Sequence, residues 1–228
     1  MDLSQLVGIS VVRFYSCLLN NMSSRKYTIS DQVITVHYMV DRYLTDVLQD
    51  KEYEPALRDL VVIDAGCNIG TFSLSVYAQA QTIYAIDPSE ENIGYLRSTI
   101  SENNLTKIQT FCTALSGEGG SQPFVLDDNP GLGGWHIGSQ GTDLPTVTIE
   151  QFLNDNNIPV VDLLKIDVEG AEKGIFQSES FKRVASRIHK IVGEFHQYDP
   201  KEDLEKAGYL YTTYQTKQGD IRFIAKKL

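Results

Sequence analysis

The stretch VIDAGCNIGTFSLSVYA, residues 62–78, constrains the fold of this 228-residue chain more than any other. An apolar run ends at Asp64, and a turn containing Gly66, Asn68 and Gly70 follows, after which apolar residues recur at helical spacing. This order predicts a buried strand, a tight turn and the start of a helix. Nucleotide cofactors are often bound at such turns, so the stretch predicts both a fold class and a ligand site.

Strand and helix patterns alternate from residue 58 onward, which is typical of a parallel sheet with crossover helices. The predicted strands are 60–65, 82–87, 108–115, 159–167 and 189–196, and the predicted helices are 71–80, 89–104, 148–157 and 171–186. Two further strand-like runs joined by KQGD, residues 217–220, predict an antiparallel hairpin. The sequence therefore predicts an α/β, Rossmann-like fold, with a mostly parallel sheet and a C-terminal antiparallel hairpin.

Two regions are predicted on either side of residue 58. Residues 1–57 are expected to be mostly helical and to cover the substrate side, because apolar positions between 36 and 48 recur at helical spacing. Residues 58–228 are expected to form the cofactor-binding domain. Within it, the glycine-rich segment 117–147 is interpreted as an insertion or long loop, in which Trp135 and His136 line a pocket or pin a hairpin.

The composition indicates which kinds of partner and which cellular compartment to expect. A net charge of −10, with 20 scattered Lys and Arg residues, argues against a nucleic-acid partner, because no basic stripe faces phosphates. No run of 18 apolar residues occurs, so no membrane span is expected. Cys17, Cys67 and Cys112 lie far apart, which predicts reduced thiols in a cytoplasmic protein. Cys67 is interpreted as a small residue tolerated in the turn.

The glycine-rich turn departs from the dinucleotide-binding pattern, because Ser73 stands where that pattern has its third glycine. Asp64 before the turn would repel a pyrophosphate but would suit a cationic ligand. S-adenosylmethionine (SAM) carries an ammonium and a sulfonium and no phosphate. Asp87 ends the next strand, where an acid accepts hydrogen bonds from a ribose diol. These residues favour SAM; a nicotinamide-dependent oxidoreductase and a non-catalytic cofactor-binding module are the alternatives.

Seven segments occur in the order found in FkbM-type methyltransferases: VIDAGCNIGTFS, AIDPSEENIGYLR, ALSGEGG, DDNPGLGG, LPTVTIEQFL, DLLKIDVEGAEKGIF and VGEFH. The resemblance covers about residues 58–197, and KIDVEGAE is its most specific element. Such enzymes are class I SAM-dependent methyltransferases, largely O-methyltransferases of natural products and sugars. The resemblance implies O-methylation of a hydroxyl on a small molecule, sugar or natural-product intermediate, free or carrier-bound, and it is compatible with an oligomer.

The resemblance also carries residue roles onto the chain. The methionine end of SAM is expected to be bound by Asp64, Gly66, Asn68 and Gly70. The ribose is expected to be bound by Asp87, and the adenine by Thr113, Ala114 and Leu115. Asp167 is expected beside the methyl donor, which gives it a cofactor-binding and a catalytic role. All of these positions fall near the carboxyl ends of predicted strands, where open α/β sheets bind ligands.

Methyl transfer to an alcohol requires an acceptor for the hydroxyl proton. In GEFH, Glu194 and His196 stand two residues apart and can converge on one site. A histidine with a nearby carboxylate is a sound general base, because the acid fixes its tautomer. We expect His196 to be the base and Glu194 to orient it or hold the substrate, without a metal. The alternative is a Mg²⁺ site formed by Asp167, Glu169, Glu194 and His196.

Overall fold

The structure, a computed structural model, describes residues 24–29, 32–37, 58–126, 135–138, 141–194, 196–216 and 221–228. Its strands are β1 (Ser24–Ile29), β2 (Gln32–His37), β3 (Leu60–Ala65), β4 (Ala80–Asp87), β5 (Ile108–Cys112), β6 (Ala114–Leu115), β7 (Gly120–Leu126), β8 (Trp135–Ile137), β9 (Thr142–Val147), β10 (Val161–Ile166), β11 (Ile188–Glu194), β12 (Tyr209–Gln215) and β13 (Ile221–Lys227). Its α-helices are α1 (Thr71–Ser75), α2 (Glu90–Asn103), α3 (Ile149–Asp155), α4 (Glu172–Gln177), α5 (Glu179–Val184) and α6 (Lys201–Lys206), and a 3₁₀ turn spans Ala185–Arg187.

A seven-stranded sheet forms the centre of the described residues, in the order β12-β13-β11-β10-β3-β4-β5. The strands from β11 to β5 are parallel, while β13 runs antiparallel to both β11 and β12. The predicted fold class, a mostly parallel sheet with a C-terminal antiparallel hairpin, is confirmed. The chain extends from β3 through β4 to β5 on one side and then places β10 on the other side of β3. Ligands bind at such a reversal in open α/β sheets.

The two central strands are buried on both faces, which explains their nearly continuous apolar sequences. Successive residues of a strand point to opposite faces, so Val62 packs with α1 and α2 while Ile63 packs with α3, α4 and α5. Leu163 and Leu164 of β10 divide in the same way. Each fully buried side chain of this size contributes roughly 1.5–3 kcal/mol. The sheet is therefore held between two apolar layers.

Capping residues set the starts of three helices. The hydroxyls of Ser89, Thr148 and Ser178 accept hydrogen bonds from backbone N–H groups in the first turns of α2, α3 and α5, which leaves fewer donors unpaired there. Ser178 also corrects the predicted helix 171–186. Its extended backbone ends α4, and its side chain begins α5, so the segment forms two short helices.

A second sheet replaces the predicted loop in the described part of 117–147. The predicted strand 108–115 breaks at Thr113, so β5 belongs to the large sheet and β6 to a four-stranded sheet of order β6-β9-β7-β8. The Thr113 hydroxyl donates to the Pro145 carbonyl at 2.9 Å and fixes this break. Trp135 and His136 lie in β8, but their side chains are outside the described part of the structure, so the prediction that they line a pocket or pin a hairpin stays a prediction.

The prediction that residues 1–57 are mostly helical is wrong where they are described, because β1 and β2 form an antiparallel hairpin. Ile34 and Val36 alternate with more exposed residues and pack into the core beside α2. Asn103, the last residue of α2, exchanges hydrogen bonds of 2.6 and 2.7 Å with the backbone of Thr35. Most of the segment lies outside the described residues, so its covering of the substrate side stays a prediction. None of the described helices is long and apolar enough to cross a membrane.

Gly66 offers a test of the close contact between β3 and β10. Its φ is 71°, and a Cβ built there would lie 1.7 Å from the Asp167 carbonyl oxygen. Gly66→Ala is expected to lower the free energy of unfolding by about 2–5 kcal/mol, because left-handed strain adds to overpacking. Urea unfolding measures the loss. Gly94→Ala, within α2 and with no heavy atom within 4 Å of the added Cβ, is the control and should be neutral or stabilising; equal losses would contradict the prediction.

Candidate functional site

An open cavity lies at the carboxyl ends of β3, β4 and β10. It is lined by six of the nine residues predicted to bind the cofactor: Gly66, Asn68, Asp87, Ala114, Leu115 and Asp167. Ile86, Pro88, Asn92, Phe124, Val168 and Glu169 complete the described lining. Asp64, Gly70 and Thr113 are not among these described lining residues. The topology therefore brings most of the predicted cofactor residues to one place.

The glycine-rich turn is tied to the end of the neighbouring strand β4. The N–H groups of Gly66 and Cys67 donate to the Ile86 carbonyl at 2.9 and 3.0 Å. Asn68 has a left-handed backbone with φ of 51°, and its N–H donates to Asp87 Oδ2 at 2.8 Å. Cys67 is buried, and burial raises the pKa of its thiol well above the usual value, with Asp87 and Asp64 adding to the shift. The interpretation of Cys67 as a structural residue agrees with this inert, protonated thiol.

Asp87 faces the cavity with most of its hydrogen-bonding capacity already used. It accepts from the N–H of Ser89 at 2.9 Å and the amide of Asn92 at 3.3 Å, in addition to Asn68. Burial raises the pKa of this carboxyl, and the three donors oppose that shift. A carboxylate offers about four acceptor positions. About one position therefore remains for a ligand hydroxyl.

Asp64 lies behind the turn rather than in the cavity lining. The carboxylate is fully buried and accepts hydrogen bonds from the N–H and hydroxyl of Ser73 at 3.1 and 2.7 Å. Its other oxygen lies 3.4 Å from Lys165 Nζ. Ser73, the residue that interrupts the dinucleotide pattern, is thus the partner of Asp64 and joins β3 to α1.

Lys165 links the turn to the end of β10. Its ammonium donates to the Gly66 carbonyl at 2.7 Å and lies 3.4 Å from a carboxylate oxygen of both Asp64 and Asp167. Burial disfavours the charged form, but the two aspartates outweigh this effect and raise the pKa of Lys165 above its ordinary value. The lysine is therefore a fixed cation, which holds Asp167 at the edge of the cavity.

His196 meets acidic side chains at both ring nitrogens. Nε2 lies 3.4 Å from Glu169 Oε2 and 3.9 Å from Asp167 Oδ1. Nδ1 lies 3.0 Å from Glu172 Oε1. The sequence predicts that Glu194 orients the ring or holds the substrate, whereas the carboxylate hydrogen-bonded to Nδ1 is that of Glu172. Glu194 has an oxygen 3.8 Å from Arg222 Nε.

Three of the four residues of the alternative metal site come together. One ligand atom each from Asp167, Glu169 and His196 lies within 4.8 Å of the other two. Glu194 is not part of this group among the described residues. The group is also consistent with a protonated imidazole between carboxylates, since a proton and a cation satisfy the same excess of negative charge.

The hydrogen bond to Glu172 dominates the protonation of His196. It raises the pKa of the imidazole to about 9, desolvation opposes the rise, and Asp167 and Glu169 add to it. At neutral pH the ring is therefore mostly protonated. Glu172 was missed by sequence reasoning because an acid at a helix start resembles an ordinary charge on the helix dipole, and the contact spans 24 positions.

The amino-acid sequence matches the model of one protein family. The family model for the methyltransferase FkbM domain matches residues 64–222, which is more than half of the chain. The chain belongs to the FkbM methyltransferase family. The predicted family is confirmed, and with it the enzyme class, a methyltransferase that uses SAM as its cofactor. No curated protein matches the chain in sequence.

Solved structures similar to this methyltransferase share little sequence with it. A precorrin-6Y C5,15-methyltransferase from Geobacter metallireducens is 15% identical, over 83% of this chain and 87% of that chain, with a TM-score of 0.47. An rRNA methylase from Streptococcus thermophilus is 13% identical over 84% and 95%, with a TM-score of 0.49. An FkbM methyltransferase from Methylobacillus flagellatus is 14% identical over 82% and 54%, with a TM-score of 0.49. Likeness at this level carries no argument about the acceptor.

The charges of the cavity fit SAM. Its described lining contains three carboxylates, those of Asp87, Asp167 and Glu169, and no Lys or Arg. Such a lining favours a cationic ligand and disfavours the pyrophosphate of a dinucleotide. Leu115 and Phe124 offer an apolar surface of the kind that a purine ring requires. The acidic and apolar side chains of the lining therefore suit a nucleoside with a cationic tail.

Removal of the Lys165 charge tests the buried network. Lys165→Met is expected to lower the free energy of unfolding by about 3–5 kcal/mol, because Asp64 and Asp167 lose their cation while Asp64 stays buried. Chemical denaturation measures the loss. The control is Lys182→Met, which breaks an exposed pair with Glu179 and should change stability little. A Lys165 variant as stable as the control would contradict the prediction.

Proposed function

We propose that this FkbM-family enzyme transfers the methyl group of SAM to a hydroxyl of a small molecule, a sugar or a natural-product intermediate, free or carrier-bound, in the cytoplasm. The observation that carries the proposal is the His196 imidazole, which lies next to two carboxylates of the cavity lining, Asp167 and Glu169. An alcohol is a poor nucleophile until a base takes its proton. A histidine at the rim of the cofactor cavity supplies that base.

The residues proposed to hold SAM divide into those at the cavity surface and those behind it. Gly66 and Asn68 are assigned to the methionine end, Asp87 to the ribose, Ala114 and Leu115 to the adenine, and Asp167 to the methyl side. Asp64, Gly70 and Thr113 support this surface from behind, Asp64 through Ser73 and Lys165. Bound there, SAM supplies an electrophilic methyl group.

His196 is proposed to receive the hydroxyl proton at Nε2 as the acceptor oxygen attacks. Nδ1–H then continues to donate to Glu172, and the nearby carboxylates of Asp167 and Glu169 stabilise the imidazolium. Glu194, beside Arg222, is assigned to holding the acceptor rather than to orienting the ring. The chain's own side chains thus accept and retain the proton without a metal.

The Asp87 carboxylate provides the test of cofactor binding. Asp87→Ala is expected to weaken SAM binding more than tenfold, because a buried acceptor for the ribose is removed. Isothermal titration calorimetry measures the affinity for SAM, S-adenosylhomocysteine and NAD; the wild type should bind the first two and not NAD. The control is Asp162→Ala, which removes a carboxylate that accepts from the Val61 N–H at 2.9 Å, at the opposite ends of the strands. Unchanged SAM affinity in the Asp87 variant would refute the ribose assignment.

The His196 base is tested by methyl transfer from radiolabelled SAM to a panel of sugars and hydroxylated small molecules. His196→Ala is expected to lower kcat at least about 100-fold and leave SAM affinity nearly unchanged, since general bases contribute about 10²–10⁴-fold. In the wild type, kcat/KM for the acceptor should rise with pH, reach half of its maximum near pH 9 and level off above that, because the base acts in its neutral form.

The matched control is His189→Ala, which removes a histidine that pairs with Asp162 at 3.2 Å at the start of β11. It should keep full activity. A chelator should leave the wild-type rate unchanged; loss of activity that Mg²⁺ restores would replace the simple base with the metal alternative. Labelling of amines and not of hydroxyls would overturn O-methylation while leaving methyl transfer intact.

A further inference from the structure

We propose that Glu172 is a positioning residue, which fixes the His196 ring with its proton on Nδ1 so that Nε2 faces the cavity carboxylates. The inference deepens the proposed function, because it rests on His196 as the base of the methyl transfer. Glu172 itself does not line the cavity among the described residues, so it acts through the imidazole rather than on the acceptor.

The hydrogen bonds of Glu172 connect three segments of the chain. Its Oε1 accepts from the Val168 N–H at 3.1 Å and lies 3.0 Å from His196 Nδ1. Glu172 is the first residue of α4, Val168 belongs to the turn after β10, and His196 follows β11. One oxygen therefore sets the position of the ring relative to the turn that carries Asp167 and Glu169.

The burial of Glu172 makes its contact with His196 energetically important. The side chain is fully buried, and its second oxygen has no hydrogen-bond partner among the described residues. A buried carboxylate is costly unless a cation or several donors compensate it. Within the described residues, His196 is the cationic group that contacts Glu172. The contact with His196 therefore offsets part of the cost of burying the glutamate, and it places the carboxylate where it controls the ring.

The charged groups around the His196 ring determine the direction in which neutralising Glu172 shifts its protonation. Glu172 faces Nδ1 from α4, and Asp167 and Glu169 face Nε2 from the turn after β10. Lys165 lies against Asp167, and Arg222 of β13 lies against Glu194 of β11. Carboxylates thus face the imidazole directly, while Lys165 and Arg222 pair with acids, one of which, Asp167, also faces the ring. Neutralising Glu172 removes the largest of the influences that favour the protonated ring.

The Glu172→Gln substitution removes the negative charge but keeps the shape of the side chain. The amide oxygen can still accept hydrogen bonds from the Val168 N–H and from His196 Nδ1–H. NMR titration of the His196 ring, assigned by comparison with His196→Ala, requires neither SAM nor an acceptor. The wild-type midpoint is expected near 9, and the Gln variant should titrate at least about one pH unit lower, a tenfold loss of proton affinity. Glu150→Gln, which removes an exposed carboxylate paired with Arg183, is the matched control and should leave the midpoint unchanged.

Three outcomes decide the inference. An unchanged midpoint in Glu172→Gln overturns it. So does a wild-type ¹⁵N spectrum above the midpoint that shows the proton on Nε2, a measurement that stands even where the variant does not fold. A lowered midpoint with a matching shift of the kcat/KM profile and unchanged SAM affinity supports it. A lowered midpoint together with full activity of His196→Ala supports the role of Glu172 and refutes the base in the proposed function.

Discussion

The buried ammonium of Lys165 is the interaction on which the geometry of the site depends. β3 and β10 pair in register, with Lys165 opposite Asp64, so the ammonium lies near the carboxyl ends of the two central strands. It binds the Gly66 carbonyl on one side and the Asp167 carboxylate on the other. The turn at the cavity and the acid at its rim are therefore held by one cation. Asp64 contributes from behind the turn, where its negative charge keeps the lysine protonated.

Patterns of a few neighbouring residues predicted the strands of the large sheet and the starts of its helices well. β3 has the predicted bounds, since the apolar run 60–63 begins it and the turn at Gly66 ends it. α2 and α3 begin next to the predicted Ser89 and Thr148, since a hydroxyl that caps a helix acts within three residues. The β1–β2 hairpin was missed because its apolar alternation is short and the helical spacing from residue 36 onward was taken for the whole segment.

The tertiary contacts of the site were harder to predict from the sequence. Asp64 was expected to face the ligand, yet strand alternation places its side chain on the face of Val62, towards Ser73 and α1. Glu194 was expected to pair with His196 because the two are close in sequence, whereas the bond to Nδ1 comes from Glu172, 24 residues away. No spacing rule links those two segments. Their contact follows from the parallel pairing of β10 and β11, which sets the turn after one strand beside the end of the other.

A base with a pKa near 9 has both a cost and a benefit at neutral pH. At pH 7 about one ring in a hundred is neutral, which costs roughly 2.7 kcal/mol relative to a fully deprotonated base. The same carboxylates that impose this cost make the neutral ring a stronger base, and a hydroxyl gives up its proton reluctantly. They also offset the positive charge of the imidazolium in a cavity suited to a cationic ligand, which an isolated protonated histidine would repel. The acidic surroundings of His196 thus suit both the proposed proton acceptor and the proposed binding of a cationic cofactor.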